Sequence, residues 1–309
     1  MKTIWIYFSK SGKMWYPFNI NEYYESYQEL INIIEQEKTV KVYIVRGNSY
    51  QWNWVFSEAY YFDNKKLNTI KTIKIDLIFN RCDLHKINDC EVINSPSFYE
   101  LCEDKYKTFL RFPGISAATE YIHEYQDLEK SIKKLNINSD ELVVLKKNFW
   151  MEWRDIHIVP ANTISNNLYA DWSNVLVQKF IDSSVGINKL VEWLHDLRVM
   201  IVNHTIIWAT IRTPKQWCFL ANVAQWGTSI TLDIQLLPRE LLDVLAIVMD
   251  HLDDYENIIY WADFMNSTDG YKLVELNACP WLLHKNWDKN CFNFYHAISK
   301  MLLSAIKKI

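Results

Sequence analysis

The sequence predicts an α/β protein, with α+β character toward its end, built from successive lobes. Three observations lead to this fold class. The chain has 309 residues, enough for two or three packed lobes, and half of the residues are hydrophobic. Its first part alternates strand, helix and strand patterns, whereas its last part consists mainly of hairpin patterns and a closing helix. We therefore expect an α/β lobe followed by more antiparallel lobes.

The N-terminal lobe is expected over residues 1–95. Residues 4–9, 40–45 and 75–79 are short apolar runs rich in β-formers, and each indicates a strand. Between the first two, residues 22–37 place tyrosine and aliphatic side chains at helical spacing. Strand–helix–strand order is typical of an α/β layer.

A second lobe is expected over residues 96–174. Ser95 suits the N-cap of a helix and Pro96 suits its first position. One helix is therefore expected to begin there and to end at Pro113-Gly114, which cannot continue it. The short apolar run at residues 141–145 then predicts a strand.

The third lobe, residues 175–309, is expected to consist largely of hairpins. Asn203-His204 is a turn dipeptide between two apolar runs, and a second pair of runs follows later. Two segments have the apolar spacing of amphipathic helices. The expected strands are at residues 175–181, 196–202, 205–211, 258–265 and 271–277, and the helices at 239–252 and 292–307.

Charge, cysteines and hydropathy exclude several classes of protein. The formal net charge of −4 lacks the basic excess typical of nucleic-acid or anionic-membrane binding, so neither partner is expected. The six cysteines form no CxxC pair and no zinc spacing, which predicts reduced thiols in a cytoplasmic protein. The apolar run at residues 4–8 is too short for a signal-peptide core. No stretch approaches the roughly 18 apolar residues of a membrane span.

The most informative local pattern is a hairpin that ends in Glu275-Leu-Asn277. Residues two apart on a strand share one face, so these two polar side chains lie together. If the turn is the three-residue loop 268–270, Asp263 falls opposite Glu275. Two carboxylates and an amide oxygen then converge, and magnesium prefers such oxygen ligands together with phosphates. The alternative is a sheet whose polar residues face solvent, and a loop one residue different would move Asp263 to the other face.

At these residues the chain resembles the ATP-grasp enzymes, most closely the branch of glutathione synthetase and the glutamate-adding peptide ligases. Asp263, Glu275-x-Asn277 and the following Cys279-Pro280 look like the magnesium motif that closes the family's site. Other similar segments occur in the family's order over residues 92–281. The resemblance implies an ATP-grasp fold with an N-terminal pre-ATP-grasp lobe, a central lobe and a C-terminal antiparallel-sheet lobe.

The resemblance also implies a set of site residues and the cofactors ATP and Mg²⁺ (or Mn²⁺). In the family, two lysines contact phosphate, a linker strand binds adenine through its backbone, and a pair of strands carries ribose and substrate contacts. An asparagine in a loop faces phosphate and metal. The implied nucleotide ligands are Lys105, Lys146, Gln178, Lys179, Phe180, Ile181, Asp196 and Asn222, the catalytic residues are Arg198 and Arg212, and the metal ligands are Asp263, Glu275 and Asn277.

Some of these assignments leave an alternative open. Lys147 could take the place of Lys146, because the two are adjacent. Arg198 and Arg212 suit the role of an oxyanion or carboxylate clamp, because a guanidinium binds such groups through two parallel hydrogen bonds. They could instead form structural ion pairs with Asp196 or another acid.

The chain also departs from the family pattern at three places. The stretch 147–155, where the family carries a glycine-rich loop over the phosphates, has no glycine. Trp226-Gly227 stands where two glycines are usual, and Lys179 stands where an acid is common. These departures lie in segments that contact nucleotide in the family, so they concern nucleotide affinity and turnover rather than the fold.

The implied activity is a two-step ligation. A substrate carboxylate takes the γ-phosphate to give an acylphosphate, and an amine or hydroxyl of an amino acid or peptide then displaces phosphate. Peptide tailoring is one activity of this kind. Because dimers are frequent in the family, the resemblance also implies a homodimer. Two alternatives are a nucleotide-binding pseudoenzyme or partner-binding module, and a small-molecule kinase. The aromatic residues at 50–61 could form a partner surface, although such residues more often pack between lobes.

Overall fold

The computed structural model describes residues 1–10, 12–51, 55–71, 75–82, 90–149, 155–215, 218–219 and 227–309. These residues form three β-sheets, of six, four and five strands, that follow one another along the chain. Helices pack on the sheets, which confirms the predicted α/β class.

The first sheet has the strand order β4-β3-β2-β1-β5-β6. Strands β2, β1, β5 and β6 run parallel, and β3 and β4 form an antiparallel hairpin at one side. Two helices, α1 (Asn21–Glu35) and the C-terminal α6 (Cys291–Lys308), share an apolar core with one face of the sheet. The strands are β1 (Lys2–Phe8), β2 (Val40–Arg46), β3 (Ala59–Asp63), β4 (Lys66–Ile70), β5 (Leu77–Asn80) and β6 (Glu91–Ile93).

The second sheet is antiparallel, with the order β7-β10-β8-β9. Apolar side chains such as Val143, Leu145 and Val177 are fully buried on the face that carries the core of this lobe. The strands are β7 (Thr119–Ile122), β8 (Leu142–Lys147), β9 (His157–Pro160) and β10 (Val175–Lys179), and the helix α4 (Leu128–Lys134) lies between β7 and β8 in sequence.

The third sheet is also antiparallel, with the order β13-β12-β11-β14-β15. Asn203 and His204 both have positive φ, as a tight two-residue hairpin turn requires. The helix α5 (Arg239–His251) buries Leu241, Leu245 and Val248, which lie at helical spacing. The strands are β11 (Asp196–Val202), β12 (Thr205–Thr213), β13 (Thr228–Leu232), β14 (Ile259–Ser267) and β15 (Gly270–Asn277).

The helix predicted to begin at Ser95 is in fact two helices, so this prediction was wrong in part. Ser95 does cap the first, because its hydroxyl accepts a hydrogen bond from the Phe98 amide at 3.2 Å. The chain then turns at Asp104, whose extended backbone separates α2 (Pro96–Glu103) from α3 (Lys105–Arg111). The carboxylate of Asp104 caps α3, which places Lys105 at the first position of a new helix.

The predicted division at residues 95 and 174 corresponds only approximately to the three sheets. Strand β10 begins at Val175 but pairs with β7 and β8, and α6 closes the core of the first sheet. The division into lobes at 1–95, 96–174 and 175–309 therefore stays a prediction.

Candidate active site

The carboxylate hairpin is formed by β14 and β15 in the predicted register. Asp263 lies opposite Glu275, and Trp261 lies opposite Asn277. All four line one cleft between the second and third sheets.

The turn of this hairpin differs from the prediction. Ser267 pairs with Gly270, so the turn has two residues rather than three. Val274 is then an extra residue on β15, a β-bulge, because the register shifts between the turn and the pair Asp263–Glu275. The shorter turn moves the register by one residue and the bulge moves it back, so the carboxylates meet as predicted for a reason that the sequence did not reveal.

The carboxylate of Asp263 is buried and binds two arginines. Arg198, its cross-strand neighbour, donates from Nε to Oδ1 at 2.7 Å and from Nη2 to Oδ2 at 2.6 Å. Arg212 donates from Nη2 to Oδ2 of Asp263 at 2.8 Å and from Nε to Oδ1 of Asp196 at 2.9 Å. The ion pairs left open as an alternative by the sequence are therefore present. The Nη1 groups of both arginines have no hydrogen-bond partner within the described residues and remain available to a ligand.

Burial and charge set the ionisation of the two aspartates. Burial alone would raise the pKa of Asp263, but the positive charges of Arg198 and Arg212 outweigh it, so this pKa lies below its usual value. Burial, followed by the charge of Asp263, raises the pKa of Asp196 against the opposing effect of Arg212. Asp263 therefore stays ionised to lower pH than Asp196 does.

An aromatic wall, formed by Trp261 and Trp281, stands beside this network and was not predicted from the sequence. The guanidinium of Arg198 lies 4.3 Å from the ring centroid of Trp261, which is cation–π geometry. Trp281 meets Trp261 edge to face at 5.4 Å. Both tryptophans line the cleft, and Trp281 is 54% exposed at its mouth. Trp261 reaches Arg198 through the pairing of β11 with β14, so no local sequence motif indicates this contact.

Lys146, rather than Lys147, reaches the cleft. Its ammonium is buried and donates to Oε1 of Gln178 at 3.0 Å, and Gln178 donates in turn to Thr119 at 2.8 Å. Lys147 instead donates to the carbonyl of Ser173 at 2.7 Å. Burial, and secondarily the charge of Lys105, lowers the pKa of Lys146 to about 8.

We expect nucleotide affinity to fall between pH 7 and pH 9. If Lys146 binds phosphate, its positive charge must be present, and a pKa of about 8 means that this charge is lost over that range. The dissociation constant of ADP, in the presence of Mg²⁺, would be measured at several pH values across this range. Lys146→Arg is the control, because arginine keeps its charge and should flatten the profile. A wild-type profile as flat as that of Lys146→Arg would contradict a phosphate contact from this lysine.

Asn148 joins the two elements that carry the candidate phosphate lysines. Its side chain is 1% exposed, donates to Oδ1 of Asp104 at 2.9 Å and accepts from the Tyr106 amide at 2.8 Å. Its carbonyl accepts from the Lys105 amide at 3.4 Å. Because Asn148 directly follows β8, these bonds fix the start of α3 against the strand that carries Lys146.

We expect Asn148→Ala to destabilise the fold by roughly 1–3 kcal/mol and to weaken nucleotide binding. Removing the amide leaves the buried Asp104 carboxylate and the Tyr106 amide short of a partner. Urea unfolding and ADP titration would measure the two effects. Asn162→Ala, at an exposed position, is the matched control and should change neither. An unchanged ADP affinity in Asn148→Ala would show that the lysines are positioned without this link.

The cleft has a cavity volume of about 240 Å³ and brings together twelve of the thirteen predicted site residues. One end is apolar, with Phe180 and Phe219 edge to face at 5.6 Å and Ile158 nearby. The opposite end carries the charged groups. The predicted residues that line the cleft are Lys105, Lys146, Gln178, Lys179, Phe180, Ile181, Asp196, Arg198, Arg212, Asp263, Glu275 and Asn277.

Some predictions fall outside the described residues. Asn222 and Trp226 lie there, as do residues 150–154 of the glycine-poor loop and the tryptophans at positions 52 and 54.

The oxygen ligands suit a hard divalent cation. Glu275 and Asn277 are half-buried in the cleft, and Oδ1 of Asn277, which accepts one hydrogen bond from the Cys279 amide at 2.8 Å, has a second lone pair. Asp263 would have to share its oxygens between the arginines and the cation. Among the described residues there is no group of three or more His, Cys, Asp or Glu placed to hold a metal, so a cation here would depend on Asn277 and on phosphate oxygens.

Two general features of the sequence can be compared with the structure. All six cysteines are free thiols, as predicted. Within the described ranges, no helix is both long and apolar enough to cross a bilayer.

Comparison with known proteins places the chain in a family. Residues 104–291, more than half of the chain, match the RimK-like ATP-grasp domain. The coenzyme γ-F420-2:α-L-glutamate ligase of Methanocaldococcus jannaschii is 23% identical over 235 residues, which cover 67% of this chain and 75% of that protein. The tetrahydromethanopterin:α-L-glutamate ligase of Methanococcus maripaludis is 23% identical over 214 residues, which cover 66% of this chain and 67% of that protein.

Solved structures share the fold over nearly the whole chain. A RiPP-associated ATP-grasp ligase of Chryseobacterium gregarium, in complex with ADP and a leader and core peptide, superposes with a TM-score of 0.64 at 15% identity and covers 99% of this chain and 97% of its own. The D-alanyl-alanine synthetase A of Vibrio cholerae superposes with a TM-score of 0.65 at 12% identity, covering 99% and 98%. The protein is a member of the RimK-like ATP-grasp family.

Proposed function

We propose that the protein is an ATP- and Mg²⁺-dependent ligase that phosphorylates a substrate carboxylate and joins it to an amine or hydroxyl of an amino acid or peptide. The observation that carries the proposal is the convergence of two lysines, two arginines and three oxygen ligands in one cleft with an apolar end. The curated relatives are named as glutamate ligases, which supports an amino-acid substrate. A neighbour that binds leader and core peptide supports a peptide substrate.

The cleft offers a place for each part of the nucleotide. The apolar end, with Phe180 and Ile181, suits adenine, whose edge would bond to the backbone of residues 178–181. Lys105 and Lys146 would bind phosphate, and Asp196, whose two oxygens both accept from Arg212, would bind ribose through a second lone pair of one of these oxygens. The ammonium groups of the two lysines would neutralise the negative charge of the transferred phosphoryl group, which is the main requirement of phosphoryl transfer.

The arginines would act on the acyl group. Arg198 and Arg212 are each fixed by an aspartate, and each keeps its Nη1 group for the substrate carboxylate and later for the acylphosphate oxygen. Because the aspartates and Trp261 already hold the guanidinium groups in place, little conformational entropy is lost when substrate binds. A cation held by Asp263, Glu275 and Asn277 would, when bound, neutralise phosphate charge beside them.

Trapping with hydroxylamine tests the proposal. The chain would be incubated with ATP, Mg²⁺ and a panel of amino acids and acidic peptides, with hydroxylamine as the nucleophile. An acylphosphate would be captured as a hydroxamate, with one ADP formed for each. A stable phosphorylated product without hydroxamate would show a kinase instead.

A second candidate function is a nucleotide-binding or partner-binding module without turnover. One observation favours it: both oxygens of Asp263 are already bound by arginines, which compete with a metal. Two results together would support this module. Nucleotide would bind without formation of ADP in the presence of any acceptor, and the Glu275→Gln variant would keep the biological activity of the wild type. The division into three lobes and a homodimeric assembly are further proposals, which limited proteolysis and light scattering would test.

A further inference from the structure

A buried arginine outside the cleft has no function in the ligation described above. Arg81 follows β5 directly and is 5% exposed. Its Nε donates to the Tyr27 hydroxyl at 3.1 Å and its Nη2 donates to the carbonyl of Pro280, while its Cζ lies 5.1 Å from the ring centroid of Phe79. Within the described residues its Nη1 has no hydrogen-bond partner. No carboxylate of the described residues pairs with it, and burying an unpaired charge is costly unless an anion balances it.

The groups around Arg81 are donors rather than acids. Three tyrosines and one thiol lie close enough to it for their charges to interact: Tyr16, Tyr23, Tyr27 and Cys279. Burial, only partly opposed by Arg81, raises the pKa of Tyr27 to about 12, so its hydroxyl keeps its proton at neutral pH. A guanidinium surrounded by phenol hydroxyls is suited to an anion, since every group can donate a hydrogen bond.

The position of Arg81 in the sheet is typical of a ligand site. Strand β2 lies on one side of β1 and β5 on the other, so the chain reverses its direction across the sheet at the carboxyl ends of β1 and β5. Ligands of open α/β sheets bind at such a switch point. The two strand ends meet here, because the Ser9 amide donates to the sulfur of Cys82 at 2.8 Å.

The same residue borders the cleft. The carbonyl of Pro280, to which Arg81 donates, directly precedes Trp281, and Asn277 lies three residues earlier on β15. Trp281 and Asn277 both line the cleft. A substrate whose reacting carboxylate lies near Asn277 could therefore extend a second group past Trp281 toward Arg81. Tyr16, 39% exposed, lies at the surface end of this donor group.

We propose that Arg81, with the hydroxyls of Tyr16, Tyr23 and Tyr27, forms a subsite for a second carboxylate of the substrate, that of an acidic amino acid or of an acidic side chain in a peptide. This inference rests on the proposed ligase function and narrows its substrate class. It predicts discrimination between an acid and its uncharged amide of the same shape.

The test is calorimetric titration of the chain loaded with ADP and Mg²⁺. The probes are L-glutamate against L-glutamine, and acetyl-Glu-Glu-Glu against acetyl-Gln-Gln-Gln, both peptides with a free C-terminal carboxylate, so that every probe keeps one carboxylate for Arg198 and Arg212. One acidic probe is expected to bind about 10- to 100-fold more tightly than its amide, the usual value of a hydrogen bond to a charged group. The amino-acid pair and the peptide pair distinguish the two sources of the carboxylate. Arg81→Met should abolish the preference, Arg81→Lys should keep part of it, and Tyr16→Phe should reduce it.

The controls separate this subsite from the ligase function. Binding of ADP with Mg²⁺ is measured for every variant, and it reports on the fold and on the nucleotide site. Arg239→Met removes one positive charge from a side chain that is 84% exposed, and it should leave the acid preference unchanged. Equal affinity for acids and amides in the wild type, or a preference that survives in a folded Arg81→Met protein, would overturn the subsite. If ADP binding is intact in that case, the proposed function stands.

Discussion

Glu275→Gln is expected to abolish the stabilisation of the protein by nucleotide with Mg²⁺ and to leave the unliganded fold nearly as stable as the wild type. A ligand at about 100 times its dissociation constant adds roughly 2.7 kcal/mol to the free energy of unfolding. If the cation is held by Glu275, an amide that lacks the negative charge should lose most of this gain. Turnover should fall with it, because the phosphate charge is then less well neutralised.

The small effect on the unliganded fold follows from the surroundings of Glu275. Its carboxylate is half-buried, and no hydrogen bond or ion pair to another described residue holds it. Glutamine has the same shape, so it leaves neither a cavity nor an unpaired partner behind.

Thermal unfolding with and without Mg²⁺ and a non-hydrolysable ATP analogue measures this effect. The matched control is Glu120→Gln, because Glu120, on β7 of the second sheet, pairs with Lys134 of α4 and does not line the cleft. A magnesium-dependent shift that persists in Glu275→Gln would place the metal elsewhere. Absence of any shift in the wild type would favour a partner-binding module that does not bind nucleotide.

Many helices and strands could be predicted because the spacing of apolar residues in the sequence shows which face of each element is buried. The helix α1 and the hairpin of β11 and β12 have strong patterns and clear turn residues, and the structure contains both. Strand β13 was missed, since four of its five residues are exposed and show no alternation. The break at Asp104 was missed although aspartate is a favourable N-cap and its carboxylate accepts from the Tyr106 and Lys107 amides. The same carboxylate is also held by Asn148, which lies 44 residues away in sequence.

The candidate site shows the same limit. The position of Asp263 opposite Glu275 was predicted from a regular ladder, yet it depends on the bulge at Val274. The spacing of residues in the sequence does not predict a bulge, because in a bulge two residues of one strand lie opposite a single residue of the partner strand. The aromatic wall of Trp261 and Trp281 and the buried Arg81 likewise arise from contacts between distant segments. Family resemblance supplied the ligand types, and only the structure supplied what surrounds them.

Asp263→Asn should differ from Glu275→Gln by destabilising the fold itself, by about 3–5 kcal/mol, the usual loss when one partner of a buried ion pair is removed. Arg198 and Arg212, whose side chains are 11% and 12% exposed, would keep their charges, and Arg198 would have no acid left. The stabilisation should be complete at pH 7. Because the pKa of Asp263 lies below its usual value, the contribution is lost only as the pH falls through the pKa of the folded state.

Urea unfolding of the unliganded chain would measure this loss, and two further variants test its cause. Glu129→Gln breaks an exposed pair with Lys133, 81% and 73% exposed, and should change stability by no more than about 0.5 kcal/mol. Adding Arg198→Met to Asp263→Asn should restore part of the loss, since the unpaired buried charge is then gone. A loss below about 1 kcal/mol in Asp263→Asn would mean that water screens the network. A large loss would assign Asp263 a structural role, that of holding the arginines in place, which Glu275 does not share.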